Sequence, residues 1–375
     1  MGYLLYHPSF SYTNMMVRDL MSIEHSRAIV DVMPIPAHIE RNLKEQAKLK
    51  MTHYSTRIEG NTLDFEQVSR VVKQKQNQAR IPAEQEVRNY WEALSYLSRE
   101  KQKGVQITET FIKKLHSIIV QQGAGRKPFK SEYRGPTPPG VLFAVFDNIT
   151  GQPDYIPPEY SDVPSLMSEF IEWIKNENEL PAPIKAAIAT YQFLTIHPFE
   201  DGNGRTARAL ASYILSLADY DVKGFHSMEE YYVDDLQGYY QNIQMGLPPL
   251  YYSGRNEPKD LAPWIEYFVR IMALAFEKVA NLSKRYANNG IDPKVRRLEP
   301  NEKILLRYLL ERNRPVKPKE LAELFQVHSR TISKWSNQWI ENGIIQPASG
   351  DKRVTSYKLG EDFHDLTLND LGYAE

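Results

Sequence analysis

His197-Pro198-Phe199-Glu200-Asp201-Gly202-Asn203-Gly204-Arg205-Thr206-Ala207-Arg208 is the stretch on which the reading of this chain turns. An apolar run, Tyr191 to Ile196, leads into it. Behind it Ala207, Ala209, Leu210, Tyr213, Ile214 and Leu217 recur at helical spacing, so the stretch reads as a loop opening a helix. Gly202-Asn203-Gly204 at a helix start frees backbone N–H groups to point at an anion, and the helix dipole adds to the pull. Arg205 and Arg208, three positions apart, lie on one helix face and can converge on one polyphosphate. Asp201 is a hard oxygen ligand suited to Mg²⁺ beside those phosphates. His197 titrates near neutral pH and suits a general base. A Gly-Asn-Gly turn alone would be an ordinary turn; here several distinct chemical requirements meet in one window.

Working upstream, Ala37 to Glu59 is rich in Glu, Lys, Gln and Ala and poor in breakers, which predicts a helix. It ends in Ser55-Thr56-Arg57-Ile58-Glu59-Gly60-Asn61, where Gly60 can take φ > 0 as a C′ residue. Glu59 would then face the negative end of its own helix dipole, a cost that some partner should offset. Residues 1 to about 35 read as an irregular arm carrying aromatics. Helices are predicted over Leu63 to Gln76, Ala83 to Lys101, Thr108 to Gln121 (Thr108 as N-cap), Asp162 to Asn176, Ile184 to Thr195, Ser227 to Met245 and Leu261 to Ala287. His116 reads as a packing or hydrogen-bonded histidine, not a second base. Gly123 to Pro158 changes character: Pro136, Pro138 and Pro139 precede the apolar run Val141-Leu142-Phe143-Ala144-Val145-Phe146, and Asp147-Asn148 marks a turn before Tyr155. This predicts a β-hairpin with an apolar first strand.

Downstream, Asn288 to Pro293 reads as a linker. Asn301 can cap a helix through Arg312, followed by short helices over Pro318 to Phe325 and Ser329 to Asn342. A hairpin is predicted over Ile344 to Pro347 and Val354 to Leu359. This order resembles a winged helix-turn-helix. From Arg314 to Lys358 eight Lys and Arg stand against four Asp and Glu, a local charge of +4. That is compatible with phosphate contacts through Arg330, Lys334, Lys352 and Arg353. Such modules also bind proteins or dimerise, so DNA, a protein partner and a homodimer all stay open.

The whole chain sets the frame. Its 375 residues allow two or three domains, and 42% hydrophobic with 25% charged residues is ordinary for a globular protein. A net charge of −1 gives no global pull toward nucleic acid or membrane, so any such binding must be local. The chain has no cysteine, which excludes disulfides, a thiol nucleophile and Cys-type zinc sites. Met1 to Tyr6 does not open a secretory signal, and no apolar run approaches a membrane span. The expected setting is cytoplasmic.

The string 197–208 resembles the signature of the Fic/DOC family, H-x-F-x-[DE]-G-N-G-R-x-x-R, at every fixed position. Ser55, Glu59 and Gly60 resemble that family's inhibitory motif, [ST]-x-x-x-E-[GN], placed ahead of the signature. The resemblance covers about residues 40 to 285. It implies a mainly α fold: residues 1–105 carrying an inhibitory helix (about 37–60) and a Fic core over 106–287 with a β-hairpin flap. A linker over 288–300 and a winged helix-turn-helix domain over 301–375 complete the expected architecture.

The activity implied is transfer of AMP from Mg²⁺-ATP to a Ser, Thr or Tyr hydroxyl of a protein target and of the chain itself. By the resemblance His197 is the base and Asp201 holds Mg²⁺. Gly202, Asn203, Gly204, Arg205 and Arg208 hold the phosphates, and a tyrosine at Tyr239 lines the adenine pocket. Val141 and Leu142 lie on the flap that registers the target. Glu59, paired with Arg208, would keep that arginine from the ATP γ-phosphate. Removal of AMP, transfer of another nucleotide, and a DNA-binding regulator with the Fic core as a sensor remain alternatives.

Overall fold

The structure, a computed structural model, describes residues 6–74, 81–121, 131–146, 151–251, 258–287, 293–348, 354–364 and 366–371. Two units divide the chain: Met1–Val32 with Arg41–Asn281, and Met33–Glu40 with Leu282–Glu375.

The first unit is helical. Its elements are α1 (Asn14–Val32), α2 (Ala37–Ile58, entering from Arg41), α3 (Phe65–Lys73), α4 (Pro82–Gln102), α5 (Glu109–Ile119), α6 (Val163–Asn176), α7 (Ala182–Ile196), α8 (Asn203–Leu217), α9 (Glu229–Asp234), α10 (Leu236–Gln244) and α11 (Ala262–Ala287). At its centre lies α7, buried along twelve of its fifteen residues, as expected of a helix apolar on every side. Ala186, Ala187 and Ala189 let α8 approach closely, with Ala207, Ala209, Leu210 and Ala211 buried on its side. Trp264 of α11 is buried and donates its indole N–H to Ala187 O at 2.8 Å. Thr108 caps α5 through a bond from Phe111 N, and Asp64 caps α3 in a box with Gln67. The predicted helix over 227–245 is broken at Asp235, whose extended backbone ends α9 while its carboxylate caps α10.

One expectation is corrected at the start of the chain: residues 14–32 form a helix, not an irregular arm. Its buried stripe is Met16, Asp19, Ile23, Ser26 and Val30. The spacing is regular, but two of the five are polar, so the apolar pattern is broken in the sequence. Buried Asp19 is compensated by Arg18 and by Arg270 of α11, as a buried carboxylate requires.

The expected hairpin is present but shorter. Strand β1 is only Val145–Phe146, pairing antiparallel with β2 (Pro153–Tyr155) across an irregular register. Val141 and Leu142 lie before the strand, because Pro138 to Val141 closes a turn (Val141 N to Pro138 O, 3.0 Å) with Gly140 at φ 80°. The turn expected at Asp147-Asn148 lies outside the described residues.

The second unit contains α12 (Pro293–Arg296), α13 (Pro300–Arg312), α14 (Pro318–Phe325), α15 (Ser329–Glu341) and the antiparallel strands β3 (Ile345–Pro347) and β4 (Tyr357–Leu359). Val316 bridges Tyr357 at the sheet edge. Leu305, Leu309, Leu321, Ile332, Trp339, Ile345 and Phe363 form its core. Pro300 starts α13 behind Glu299, so Glu299, not Asn301, is the capping position. Of the expected linker, 288–292 lie outside the described residues, while Val295 of α12 is buried in this core. Lys352 and Arg353 also lie outside them. Among the described residues no helix is long and apolar enough to cross a membrane.

Candidate active site

His197 ends α7 in the left-handed region (φ 48°, ψ 60°), with its N–H still bonded to Phe193 O at 3.0 Å. Such a backbone costs about 1–2 kcal/mol for a residue with a side chain. The half-buried imidazole has Nδ1 3.3 Å from Leu194 O. Donation from Nδ1 to that carbonyl leaves Nε2 with its lone pair. Burial pushes the ring's pKa down to about 4, and the Arg134 charge adds to this against Glu59 and Asp201. The ring is therefore neutral, and able to accept a proton, at physiological pH.

The loop after His197 is pinned from within. Phe199 is fully buried and stacks on His116, centroids 3.7 Å apart. Asn203 brackets it, accepting from Phe199 N at 3.0 Å and donating to Phe199 O at 2.8 Å. The Asn203 side chain is therefore committed to the loop; phosphate contact by this residue is left to its backbone. His116 bonds Ser131 Oγ at 2.6 Å and Asp201 O at 2.8 Å, and burial pushes it to about 4 as well. Gly202 sits at φ 76°, and a Cβ there would stand 2.7 Å from Val120 Cγ1. Both the backbone angle and the space require glycine.

Asp201 is exposed and turned back on Arg205, at 3.1 and 3.2 Å from Nη2. No group of three or more His, Cys, Asp or Glu among the described residues could hold a metal alone. A single carboxylate beside a phosphate site nevertheless fits Mg²⁺, which is commonly held by one or two carboxylates and the substrate's phosphates. Arg205 is nearly buried, and its Nε has no acceptor among the described residues. An unmatched buried donor beside the first turn of α8 suits an incoming anion.

Arg208 is matched. It donates from Nε to Ser55 Oγ at 2.9 Å, and from Nη2 to Ser55 O at 2.9 Å and Glu59 Oε1 at 2.7 Å. Burial works against its charge, but Glu59 outweighs this and holds the guanidinium protonated. Helix α2 ends at Ile58 and Gly60 takes φ 91°, which turns the Glu59 carboxylate toward α8. A Cβ on Gly204 would collide with Glu59 Oε1. The carboxylate thus lies over the first turn of α8, against its positive dipole end. The unfavourable end of one helix is offset by the favourable end of another.

The ring of Tyr239 is buried against Tyr232 and Trp264. It borders a small cavity of about 20 Å³ lined also by Arg208, Glu229, Tyr232 and His226, which is room for one water. Exposed Tyr240 reaches Ile58 O with its hydroxyl at 3.3 Å. On the flap, Val141 and Leu142 are more than half exposed, while Phe143 approaches His197 at 6.1 Å between rings. Sequence reasoning missed Arg134. This buried arginine bonds the backbone around His197, and nothing in the sequence sets it apart from Arg126, Lys127 and Lys130 just before it.

Residues 106–215 match the model of the Fic/DOC family. Over these residues the chain is similar to the Fic/DOC family. The chain is also similar to proteins named "Protein adenylyltransferase Fic". The one from Drosophila grimshawi is 27% identical over 54% of this chain and 40% of its own length; that from Nematostella vectensis is 31% identical over 52% and 44%. The chain thus spans less than half the length of these relatives. Among solved structures, a Fic family protein from Desulfovibrio desulfuricans aligns with TM-score 0.59 at 20% identity, over 95% of this chain and 99% of that one. A Fic domain containing signaling protein from Bacteroides thetaiotaomicron aligns with TM-score 0.56 at 20% identity, over 72% and 97%. These likenesses establish the fold, mainly α with a Fic-type core.

Proposed function

We propose that the chain is a protein adenylyltransferase held in check by Glu59. It would move AMP from ATP to a Ser, Thr or Tyr hydroxyl of a protein target and of itself, in a cytoplasmic setting. The observation that carries this reading is the convergence on the first turn of α8: a neutral imidazole, Gly204, Arg205 and Arg208, with a carboxylate seated where an anion would bind. In the reaction, His197 Nε2 takes the proton of the target hydroxyl and the oxygen forms a bond to the α-phosphorus. The bond from that phosphorus to the bridging oxygen breaks, and pyrophosphate leaves. Backbone N–H groups of 202–204 with Arg205 stabilise the charge that develops, and Arg208, once released, holds the γ-phosphate. Mg²⁺ at Asp201 would neutralise phosphate charge. The test is labelling with α-³²P-ATP: transfer to protein that is lost in His197→Ala supports the reading, and equal labelling by that variant ends it.

A second reading is supported by the outward face of α15. Ile332, Ser336 and Trp339 point into the core and Trp335 packs on Phe325. Arg330, Ser333, Lys334, Asn337 and Gln338 remain exposed on the opposite side, with no acid before Glu341. This face has the charge and hydrogen-bonding groups to meet a DNA groove. A gel shift across salt, lost in Arg330→Ala/Lys334→Ala, would support it; a salt-independent or absent shift would remove it. AMP removal at the same site would show as loss of label from a pre-labelled target.

A further inference from the structure

Between the flap and the signature loop lies a residue that neither motif contains. Arg134 is 6% exposed and sits in a segment without secondary structure. Its Nε donates to His197 O at 2.8 Å, and its Nη2 to Pro158 O and, at 3.5 Å, to Ile196 O. Its backbone N–H donates to Pro198 O at 2.9 Å. Three consecutive carbonyls, 196 to 198, are therefore held by one residue, and the middle one belongs to the strained His197. Pro158, the fourth carbonyl, follows β2, and the guanidinium lies 4.7 Å above the ring of Phe143, which precedes β1. Tyr155 of β2 adds a bond to Thr195 O at 2.7 Å.

We propose that Arg134 is the positioning residue for His197: its fork locks the left-handed turn that presents the imidazole and ties that turn to the flap on which the target lies. A left-handed backbone at a histidine persists only where its surroundings impose it. Here the carbonyls exposed by the end of α7 are gathered by one planar fork of donors. A lysine could place a charge there but would offer one nitrogen in place of the two, Nε and Nη2, that Arg134 aims at His197 O and Pro158 O. The charges facing the imidazole are Arg134, Glu59 from the end of α2 and Asp201 from the loop before α8. Arg134 thus carries two separable effects, a geometric one from its fork and an electrostatic one from its charge.

The inference rests on the adenylyl-transfer reading, and the test separates the two. In a Glu59→Gly background, Arg134→Gln is expected to lower kcat at least tenfold with KM for ATP changed less than about twofold. The acid limb of the kcat–pH profile should move up, because a positive charge that disfavours the imidazolium is removed. Arg134→Lys is expected to lower kcat but leave the acid limb in place, since it keeps the charge and loses the fork. Unchanged kcat in Arg134→Lys overturns the proposal, as does a rise in KM for ATP that accounts for the whole loss. Should Arg134→Gln fail to fold, the Arg134→Lys outcome decides. Should the Glu59→Gly parent transfer no AMP, the activity reading is what fails. Proton NMR titration of His197, assigned with His197→Gln, then still tests Arg134: an upward shift in Arg134→Gln supports its role and an unmoved titration refutes it.

Discussion

Glu59→Gly isolates the contact on which the proposed restraint depends. In the folded protein the Glu59 carboxylate is 2.7 Å from a guanidinium whose side chain is 3% exposed, while its own side chain is 28% exposed. A hydrogen bond between charged groups is worth about 1.5–3 kcal/mol. Partial exposure of Glu59 argues for the lower half of that range, about 2 kcal/mol. At about 1.4 kcal/mol per tenfold, Arg208 would be free in roughly one molecule in thirty. The substitution should therefore raise AMP transfer by about thirtyfold, read as initial rates of self-labelling with labelled ATP at fixed protein concentration. Glu59→Gln, which keeps a donor–acceptor contact but not the charge, should fall between the two. Ser55 still accepts two bonds from Arg208 in either variant, so the fold should persist while loss of the ion pair lowers the melting temperature modestly. A rate within twofold of the unmodified chain, with ATP binding intact, would refute the reasoning.

Further expectations concern the base, the loop and pH. His197→Ala should lower transfer by about 10²–10⁴-fold while ATP affinity, measured by calorimetry, changes little. Gly202→Ala forces a side chain into a left-handed backbone and onto Val120, so thermal unfolding should begin several degrees lower. Buried His53 and His116 have pKa values lowered to about 4, so between about pH 6.5 and 4 the unfolded chain binds protons that the folded chain refuses. Stability should rise with pH through that window and fall on acidification, by about 1.4 kcal/mol per pH unit for each group. Denaturant titrations at pH 7 and pH 5 check the sign. Activity per folded molecule should show no acid limb until about pH 4, because His197 stays neutral above it.

The helices and the signature loop were legible because their causes are local. Glycine at 202, apolar spacing after Ala207 and a breaker-poor segment ending at Gly60 each act within a turn or two. Long-range compensation was not legible. Helix α1 hides its stripe because buried Asp19 is compensated in part by Arg270, from a helix about 250 residues away. That the Asn203 side chain spends both its polar atoms on Phe199 could not be read from the sequence either. Tyr239 and Tyr240 are indistinguishable as a pair in sequence; packing against Trp264 decides which one is inside. Arg134 bonds only backbone carbonyls, which leave no trace in side-chain identities.

Glu59 is delivered by the last turn of a 22-residue helix. That turn is closed by Glu59 N to Thr56 O, Gly60 N to Arg57 O and Asn61 N to Thr56 O, with the Tyr240 hydroxyl on Ile58 O. Helix ends fray, and a single turn opens far more readily than a domain moves. Activation would then need only the unwinding of a few residues, while the buried length of α2 stays docked. Output would be graded with temperature and with anything that grips the 57–61 segment. Amide exchange at those few positions, much faster than at Leu49 or Thr52, would serve as a direct reporter of how often the enzyme is open.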